Sequence, residues 1–241
     1  MMYVSNVFVS LRSWAARSSE NRQMLVSLAF FTIYLTLSIY VKLLGEQNIP
    51  YNIGLFNFIN GGQVSALNQL MVLFSNYGKE GVWIPVILLL WIFGKAKHKR
   101  SALNIAFALV LAEITGFLSK AIVAQQRPFQ HLSVSLLLSP PSDFSFPSGH
   151  AIVVASCAVV GVLTLSGYMS IPLLAEALLV SYSRIYTGVH WPIDVLGSWL
   201  MGVSIAFLTP KIIEQISLAY GKTNPERGKG RLDNNKIDNE T

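Results

Sequence analysis

Long apolar runs with almost no charge are the feature that most restricts how this chain can fold. The first run covers residues 24–44, and Lys42 is its only charged residue. Of the 241 residues, 52% are hydrophobic and 12% are charged, about half the charged share of an ordinary soluble domain. Such a chain cannot cover a water-soluble surface, whereas apolar helices of about 20 residues cross a bilayer. The sequence therefore predicts an all-α, polytopic membrane protein.

Six apolar segments can be drawn as transmembrane helices in one bundle. They cover residues 24–44, 82–93, 102–123, 151–168, 171–182 and 195–208. The second and fifth are short for a full crossing of the hydrocarbon. In this interpretation residues 23–213 form the membrane domain, residues 1–22 a cytoplasmic N-terminal segment, and residues 214–241 a polar, disordered cytoplasmic tail.

The basic residues predict the orientation of this bundle. With six crossings and both termini in the cytoplasm, thirteen of the 18 Lys and Arg residues lie on the cytoplasmic side, as the positive-inside rule requires. The net charge of +6 would also suit nucleic acid, but the basic residues flank apolar segments. We therefore expect the lipid bilayer, and no nucleic acid, as the partner of these charges.

Residues 45–78 lie on the predicted outer side, between the first two segments. Their apolar residues recur at spacings typical of a helix lying in the membrane interface: Phe56, Phe58, Ile59, Leu67, Leu70, Met71 and Phe74. Such a helix would either cover a site and guide a lipid toward it, or simply pack against the bundle. The sequence leaves both interpretations open.

Three polar clusters reach the same predicted outer boundary of the membrane. They are Lys120 with Arg127 and Pro128, then Pro147-Ser148-Gly149-His150, then Ser183-Arg184 with His190 and Asp194. Clusters that are distant in sequence but meet in one plane are what a composite site requires.

The first cluster suits a multiply charged anion. Lys120 and Arg127 are seven residues apart, so on one continuous helix they would share a face, about 10 Å apart along the axis. If Pro128 ends the helix, Arg127 would instead reach in from its frayed end. Cations are costly at this depth unless they bind an anion, although long side chains also snorkel to the interface.

The other two clusters offer an anion cradle and a reactive imidazole. Ser148 is placed to cap the fourth segment, whose free N–H groups would face a phosphate, with His150 on the first turn. Asp194, near the start of the sixth segment, would accept the N–H of one nitrogen of His190 and leave the other free to attack. The alternative is two ordinary capping turns with incidental histidines.

Other chemistry is disfavoured. His131, His150, His190 and Asp194 lack the close spacing of metal ligands, and the neighbouring basic residues would repel a cation, so we expect no metal or other cofactor. Glu113 lies seven residues before Lys120 and would either pair with it or satisfy a neighbouring helix; a structural role is favoured. The lone Cys157 excludes an intrachain disulfide.

Taken together, the clusters resemble the signature of the type-2 phosphatidate phosphatase and haloperoxidase superfamily, in its membrane-bound lipid phosphatase branch. That signature reads K-x6-RP, PSGH and SR-x5-H-x3-D. This chain has the required residue at every signature position, and these positions lie between Lys120 and Asp194. The resemblance implies His190 as a nucleophile that forms a phosphohistidine, Asp194 as its orienting group and His150 as the acid for the leaving oxygen. It implies that the phosphoryl oxygens are held by Lys120, Arg127, Ser148, Gly149 and Arg184.

The predicted activity is hydrolysis of a lipid phosphate or diphosphate at the extracytoplasmic face of the plasma membrane. Residues 55–60 and 67–71 are loosely similar to members that act on polyprenyl diphosphates, so an isoprenoid diphosphate is the favoured substrate. The alternatives are phosphatidate or phosphatidylglycerophosphate hydrolysis, phosphate transfer to another lipid, and a non-catalytic lipid-binding or transport protein. A vanadate-dependent peroxidase is disfavoured because those relatives are soluble.

Overall fold

A computed structural model describes the backbone of residues 2–223 and the side chains of residues 21–219. Over this part of the chain the secondary structure is helical and contains no strand, which confirms the all-α prediction. The helices are α1 (Met2–Leu44), α2 (Asn52–Gly61), α3 (Ser65–Tyr77), α4 (Glu80–Phe93), α5 (Ala96–Val123), α6 (Gly149–Thr164), α7 (Gly167–Tyr186) and α8 (Pro192–Thr223), with 3-10 turns at Glu46–Asn48 and Pro128–Gln130.

The six apolar segments fall on α1 and on α4 through α8. Three regions within the described residues are long and apolar enough to cross a membrane, namely Asn21–Leu44, Ala96–Gln130 and Pro192–Ala219. Two more apolar helices, Glu80–Phe93 and Gly149–Thr164, are shorter. The number of crossings and the orientation of the termini remain predictions.

Helix α6 lies at the centre of the bundle, packed against α5, α7 and α8. Its residues from Ala151 to Ala155 are completely buried. A helix enclosed by other helices does not have to match the thickness of the lipid, so a length of 16 residues is compatible with this central position. Helix α8 approaches it closely at Gly202, where a Cβ atom would lie 2.8 Å from the Cβ of Ala155. Small residues at such crossings allow the helices to pack closely.

The outer faces of the helices carry large apolar side chains. Leu28, Ile39, Leu43, Phe93, Phe117, Ile122 and Ile171 are each more than half exposed. Surface of this kind is unfavourable in water but is well solvated by lipid chains. Together with the apolar helices it identifies an integral membrane protein.

The predicted boundary between the fourth and fifth segments is wrong. Helix α6 ends at Thr164 and α7 already begins at Gly167, so Tyr168 belongs to α7. Leu165 and Ser166 are extended and form the turn between the two helices. The Ser-Gly pair at 166–167 is a turn signal that interrupts the apolar run.

Residues 45–78 form two helices rather than one. The adjacent Gly61 and Gly62 end α2, and α3 begins at Ser65. Helix α3 packs against α7, and the ring of Phe56 on α2 is buried, 5.4 Å from that of Trp191. These contacts agree with the packing interpretation.

The predicted disordered tail is helical at its start. Helix α8 continues to Thr223, so residues 214–223 have helical backbone; residues 224–241 lie outside the described part. The helix continues because Ile212, Ile213 and Ile216 prolong the apolar pattern at helical spacing.

Candidate active site

The three polar clusters meet at one cavity of about 300 Å³. Six of the eight residues predicted for the site line it: Lys120, Arg127, Gly149, His150, Arg184 and His190. The other two, Ser148 and Asp194, are fully buried behind the cavity wall. The sequence-based expectation that distant helix ends converge therefore agrees with the geometry.

His190 and Asp194 form a buried hydrogen-bonded pair at the start of α8. Pro192 is the first residue of this helix, and Asp194 lies in its first turn. Asp194 Oδ2 accepts hydrogen bonds from His190 Nδ1 at 2.9 Å, from Ser145 Oγ at 2.6 Å and from the backbone N–H of Trp191 at 2.9 Å. Because an ionised carboxylate can only accept, Nδ1 carries the imidazole proton and Nε2 keeps its lone pair.

Arg127 faces that lone pair. Its Nη1 lies 3.2 Å from His190 Nε2 and also donates to the carbonyl of Val189 at 2.6 Å. Burial lowers the pKa of His190 well below its ordinary value, and the positive charge of Arg127 lowers it further. The imidazole is therefore neutral and able to act as a nucleophile at neutral pH.

The backbone brings Arg127 to this position by leaving the helix. Helix α5 ends at Val123, Ala124 adopts a left-handed conformation with φ 55°, and Arg127 is extended with φ −79° and ψ 159°. The interpretation that Lys120 and Arg127 share one helical face is thus wrong. Arg127 reaches in from beyond the helix, as in the alternative, but the helix ends at Val123 rather than at Pro128. The ring of Pro128 disfavours helical geometry in the residue before it.

Asp143 neutralises the two cations of the first cluster. Its Oδ2 lies 2.8 Å from Lys120 Nζ, and its Oδ1 lies 2.7 Å from Arg127 Nη2. Burial alone would raise the pKa of Asp143, but the hydrogen bond and charge of Lys120, with the charge of Arg127, hold it below its ordinary value. The carboxylate occupies a position between the cations that suits an anion. The sequence analysis missed Asp143. The only sequence signal for it was its position in the chain, between the first cluster and the second.

Of the two partners left open for Glu113, the structure shows the neighbouring element and not Lys120, in agreement with the structural role that the sequence favoured. Glu113 lies 2.7 Å from Lys79 Nζ, just before α4, so it satisfies a neighbouring element rather than Lys120. Lys79 also pairs with Glu80 and lines the cavity. Sequence reasoning did not identify Lys79 because it lies far from all three clusters in the chain.

The N-terminus of α6 forms the part of the cavity wall next to Lys120. Ser148 is extended and its Oγ accepts a hydrogen bond from the N–H of Ala151 at 3.5 Å, as the capping prediction requires. Gly149 is the first helical residue, and a Cβ atom there would lie 3.9 Å from Lys120 Cε. His150 follows and lines the cavity. Free N–H groups and the positive end of the helix dipole thus join the cationic side chains.

Arg184 is fixed by α3. The residue is 5% exposed. Its Nη1 donates hydrogen bonds to the carbonyl oxygen of Ser75 at 2.8 Å and to Oγ of Ser75 at 2.6 Å. A second cavity of about 390 Å³ adjoins the first and is lined by Ser75, Asn76, Leu138 and Ser139. Pro141, His150 and Arg184 line both cavities. Ser75 was a further residue that the sequence analysis missed.

The metal-binding alternative finds no geometric support. His131 lies outside both cavities, and its ring packs against Trp191 with 6.4 Å between centroids. Between residues 21 and 219, no group of three or more His, Cys, Asp or Glu side chains is arranged to hold a metal ion.

The membrane bundle and its cavity, where two histidines meet four cations, define an integral membrane phosphatase. The sequence model of the PAP2 superfamily matches residues 101–217, a stretch that contains all three clusters. The chain belongs to this superfamily.

Individual relatives agree with this assignment. The chain is 50% identical over 182 residues to a protein of Sulfolobus acidocaldarius named undecaprenyl-diphosphatase, with 75% of this chain and 87% of that protein covered. It is similar to the crystal structure of Aquifex aeolicus LpxE, with a TM-score of 0.58 and 31% identity over 68% of this chain and 97% of that one. A PAP2-type phosphatidylglycerolphosphate phosphatase from Bacillus subtilis shares the fold, with a TM-score of 0.62 and 23% identity over 79% of this chain and 96% of that one.

Proposed function

We propose that this protein hydrolyses an isoprenoid diphosphate in the membrane, with His190 as nucleophile, Asp194 as its orienting group and His150 as acid and base. One observation carries the proposal: two imidazoles and four cations line the same cavity, and a buried carboxylate fixes the tautomer of one imidazole. A diphosphate brings several negative charges, which match Lys79, Lys120, Arg127 and Arg184.

In the first step, Nε2 of His190 attacks the terminal phosphorus. A P–N bond forms, the P–O bond to the leaving lipid phosphate breaks, and the leaving oxygen takes a proton from His150. In the second step, water attacks the phosphohistidine, gives a proton to His150, and releases inorganic phosphate with His190 restored. A proton on His150 becomes favourable when the negative charge of the substrate offsets the four cations that line the cavity.

Lys120, Arg127, Arg184 and the N-terminus of α6 at Ser148 and Gly149 would hold the phosphoryl oxygens. Asp143 pairs with Lys120 and Arg127, so an incoming phosphate would compete with its carboxylate. Charge neutralisation and positioning are the main requirements of phosphoryl transfer.

The two adjoining cavities support a diphosphate rather than a monoester. His150 lies where they meet, so a phosphate transferred in the first cavity would leave its bridging oxygen next to the second. The second cavity offers polar groups of Ser75, Asn76 and Ser139 for the phosphate that stays on the lipid. The name of the Sulfolobus relative, undecaprenyl-diphosphatase, supports the same substrate class.

The phosphate-release assay that tests this proposal compares three lipids: a polyprenyl diphosphate, phosphatidate and phosphatidylglycerophosphate. Purified protein is assayed without an acceptor lipid, with and without chelator. We expect the highest kcat/KM with the diphosphate. A preference for phosphatidate or phosphatidylglycerophosphate would show that the proposed substrate is wrong. Phosphate release that requires an acceptor lipid would indicate a transferase.

The nucleophile is tested by His190→Ala. We expect phosphate release to fall by more than about a thousandfold because no covalent intermediate can form. The matched control is His98→Ala on α5, outside both cavities, which should keep normal activity. Near-normal release by folded His190→Ala would exclude His190 as the nucleophile.

We further propose six crossings with both termini in the cytoplasm, and with the active site at the extracytoplasmic face of the plasma membrane. Residues 23–213 would form the membrane domain between the terminal segments 1–22 and 214–241. The distribution of basic residues supports this topology.

Cysteine labelling tests the topology with little background, because the single Cys157 is buried. An impermeant reagent should label Ser133→Cys, at an exposed position, in intact cells. The matched Lys97→Cys, at an exposed position in the first turn of α5, should react only after the membrane is opened. The reverse pattern would overturn the orientation.

A further inference from the structure

Glu46 is a buried acid directly behind the proposed catalytic pair. It belongs to the 3-10 turn that follows α1 and is 0% exposed. Its carboxyl group lies within hydrogen-bonding reach of the carboxyl group of Asp194. Sequence analysis gave no signal for this contact, because Glu46 lies far outside the stretch that carries the three clusters.

Three carboxyl oxygens at this contact have no donor from residues 21–219. They are Oε1 and Oε2 of Glu46 and Oδ1 of Asp194. The remaining oxygen, Oδ2 of Asp194, accepts three hydrogen bonds, including that of His190 Nδ1. Buried polar atoms are almost always hydrogen-bonded, so the orphaned oxygens require an explanation.

The turn is held against the start of α8 by Asn52. The Nδ2 of Asn52 donates to the carbonyl of Glu46 at 2.9 Å, and its Oδ1 accepts from the N–H of Ile193 at 3.1 Å. Ile193 is the residue before Asp194. This pair of hydrogen bonds ties the backbone of Glu46 to the backbone of the catalytic turn, so the contact between the two acids is part of the fold.

Two adjacent carboxylates in a buried site cannot both be ionised at low cost, and they instead share a proton. Three charged groups act on Glu46: Asp194, Lys120 and Arg127. Burial and the charge of Asp194 raise the pKa of Glu46 well above its usual range, against the opposing effect of the two cations. Asp194 keeps the negative charge because three donors converge on it.

We propose that Glu46 is a positioning residue whose carboxyl group stays protonated and donates a hydrogen bond to Oδ1 of Asp194. This bond satisfies one orphaned oxygen on each acid and fixes the carboxylate plane that orients His190. The inference rests on the proposed function, since it gives Glu46 a role only through the Asp194–His190 pair.

Two substitutions separate the hydrogen bond from the side chain. Glu46→Gln keeps a neutral donor of the same size, and we expect its kcat to stay within about threefold of wild type. Glu46→Ala removes the donor, and we expect kcat to fall by about 10- to 100-fold because Asp194 loses its alignment. KM should be nearly unchanged because the charged residues that line the cavity are kept. A kcat of Glu46→Ala equal to that of wild type, or an equal loss in Glu46→Gln, would overturn the proposal.

The pH profile distinguishes a proton donor from a packing residue. In the wild type, loss of the Glu46 proton at alkaline pH places a second negative charge against Asp194, so kcat falls. Glu46→Gln cannot lose this proton, and its kcat should remain high further into the alkaline range. The exposed Glu214→Gln serves as a control and should follow the wild-type profile. Superimposable profiles of wild type and Glu46→Gln would refute the inference.

A spectroscopic measurement is independent of turnover. In the infrared difference spectrum of wild type minus Glu46→Gln at neutral pH, we expect the carbonyl band of one protonated carboxyl group. A difference spectrum without this band would place the proton elsewhere and refute the proposal. A parallel His190→Ala assay separates the two ideas. If His190→Ala retains activity, the assignment of His190 as nucleophile is wrong, independently of Glu46. If His190→Ala is inactive while Glu46→Ala has normal activity, only the role assigned to Glu46 is wrong.

Discussion

Replacing Asp194 with asparagine removes the charge behind the nucleophile and keeps an acceptor for the three hydrogen bonds that Oδ2 receives. The amide has the size and shape of the carboxylate, and its oxygen can still accept from His190 Nδ1, Ser145 Oγ and the N–H of Trp191. These three contacts of 2.6–2.9 Å preserve the turn that begins α8. The variant therefore tests electrostatic stabilisation rather than folding.

The expected loss follows from the distance between the two groups. When His190 Nε2 bonds to phosphorus, the imidazole gains positive charge 2.9 Å from the Asp194 oxygen. Two unit charges at that distance interact with about 6 kcal/mol at an effective dielectric constant of about 20. This corresponds to about four powers of ten in rate. Since the charge is only partly developed in the transition state, we expect kcat to fall by about 10³- to 10⁴-fold.

The assay is steady-state phosphate release at saturating lipid diphosphate, with thermal unfolding as the control for folding. KM should stay within about threefold, because Asp194 lies behind the cavity wall. The comparison variant is Asp143→Asn, which frees Lys120 and Arg127 from their ion pairs and should lower KM rather than kcat. A folded Asp194→Asn whose kcat is within tenfold of wild type would refute the electrostatic role of Asp194.

Two further predictions concern the charge and the packing around the cavity. His190 must be neutral to attack, so kcat/KM falls as the pH drops through its pKa, which burial and then the charge of Arg127 hold well below the ordinary value. Arg127→Gln should move this acid limb to higher pH while Arg127→Lys leaves it in place, and a pH–rate profile with no such difference would contradict the coupling. On α8, a Cβ added at Gly197 would lie 2.5 Å from the ring of Phe146, so Gly197→Ala should lower the free energy of unfolding by about 1–3 kcal/mol. A Cβ added at Gly54 meets open space, so Gly54→Ala should not lower the unfolding temperature. Equal unfolding temperatures for the two variants would show that the ring of Phe146 can move aside without loss of stability.

Local features of the chain predicted much of the fold. Apolar runs mark α1 and α4 through α8 because a backbone in lipid must satisfy its own hydrogen bonds. Pro192 and Ser148 mark the starts of α8 and α6, since each contributes a conformation or a hydrogen bond within its own turn. Where local signals were overlooked, as at the Ser-Gly pair between α6 and α7, the boundaries were wrong.

Local signals were equally informative within the site. The spacing of His190 and Asp194 indicated their hydrogen bond, because both lie within one helical turn and its preceding loop. The path of Arg127 depended on two competing local signals, continued helix or an extended residue before Pro128, and the sequence analysis left both open.

What the sequence alone determined is therefore the set of helices, the membrane character and the reactive groups, all of which follow from residues close together in the chain. Only the tertiary structure decided which charges compensate one another. Asp143 neutralises Lys120, Lys79 pairs with Glu113, and Glu46 lies against Asp194. These pairs join different elements, and their energies depend on distance and burial, which no linear pattern of residues encodes.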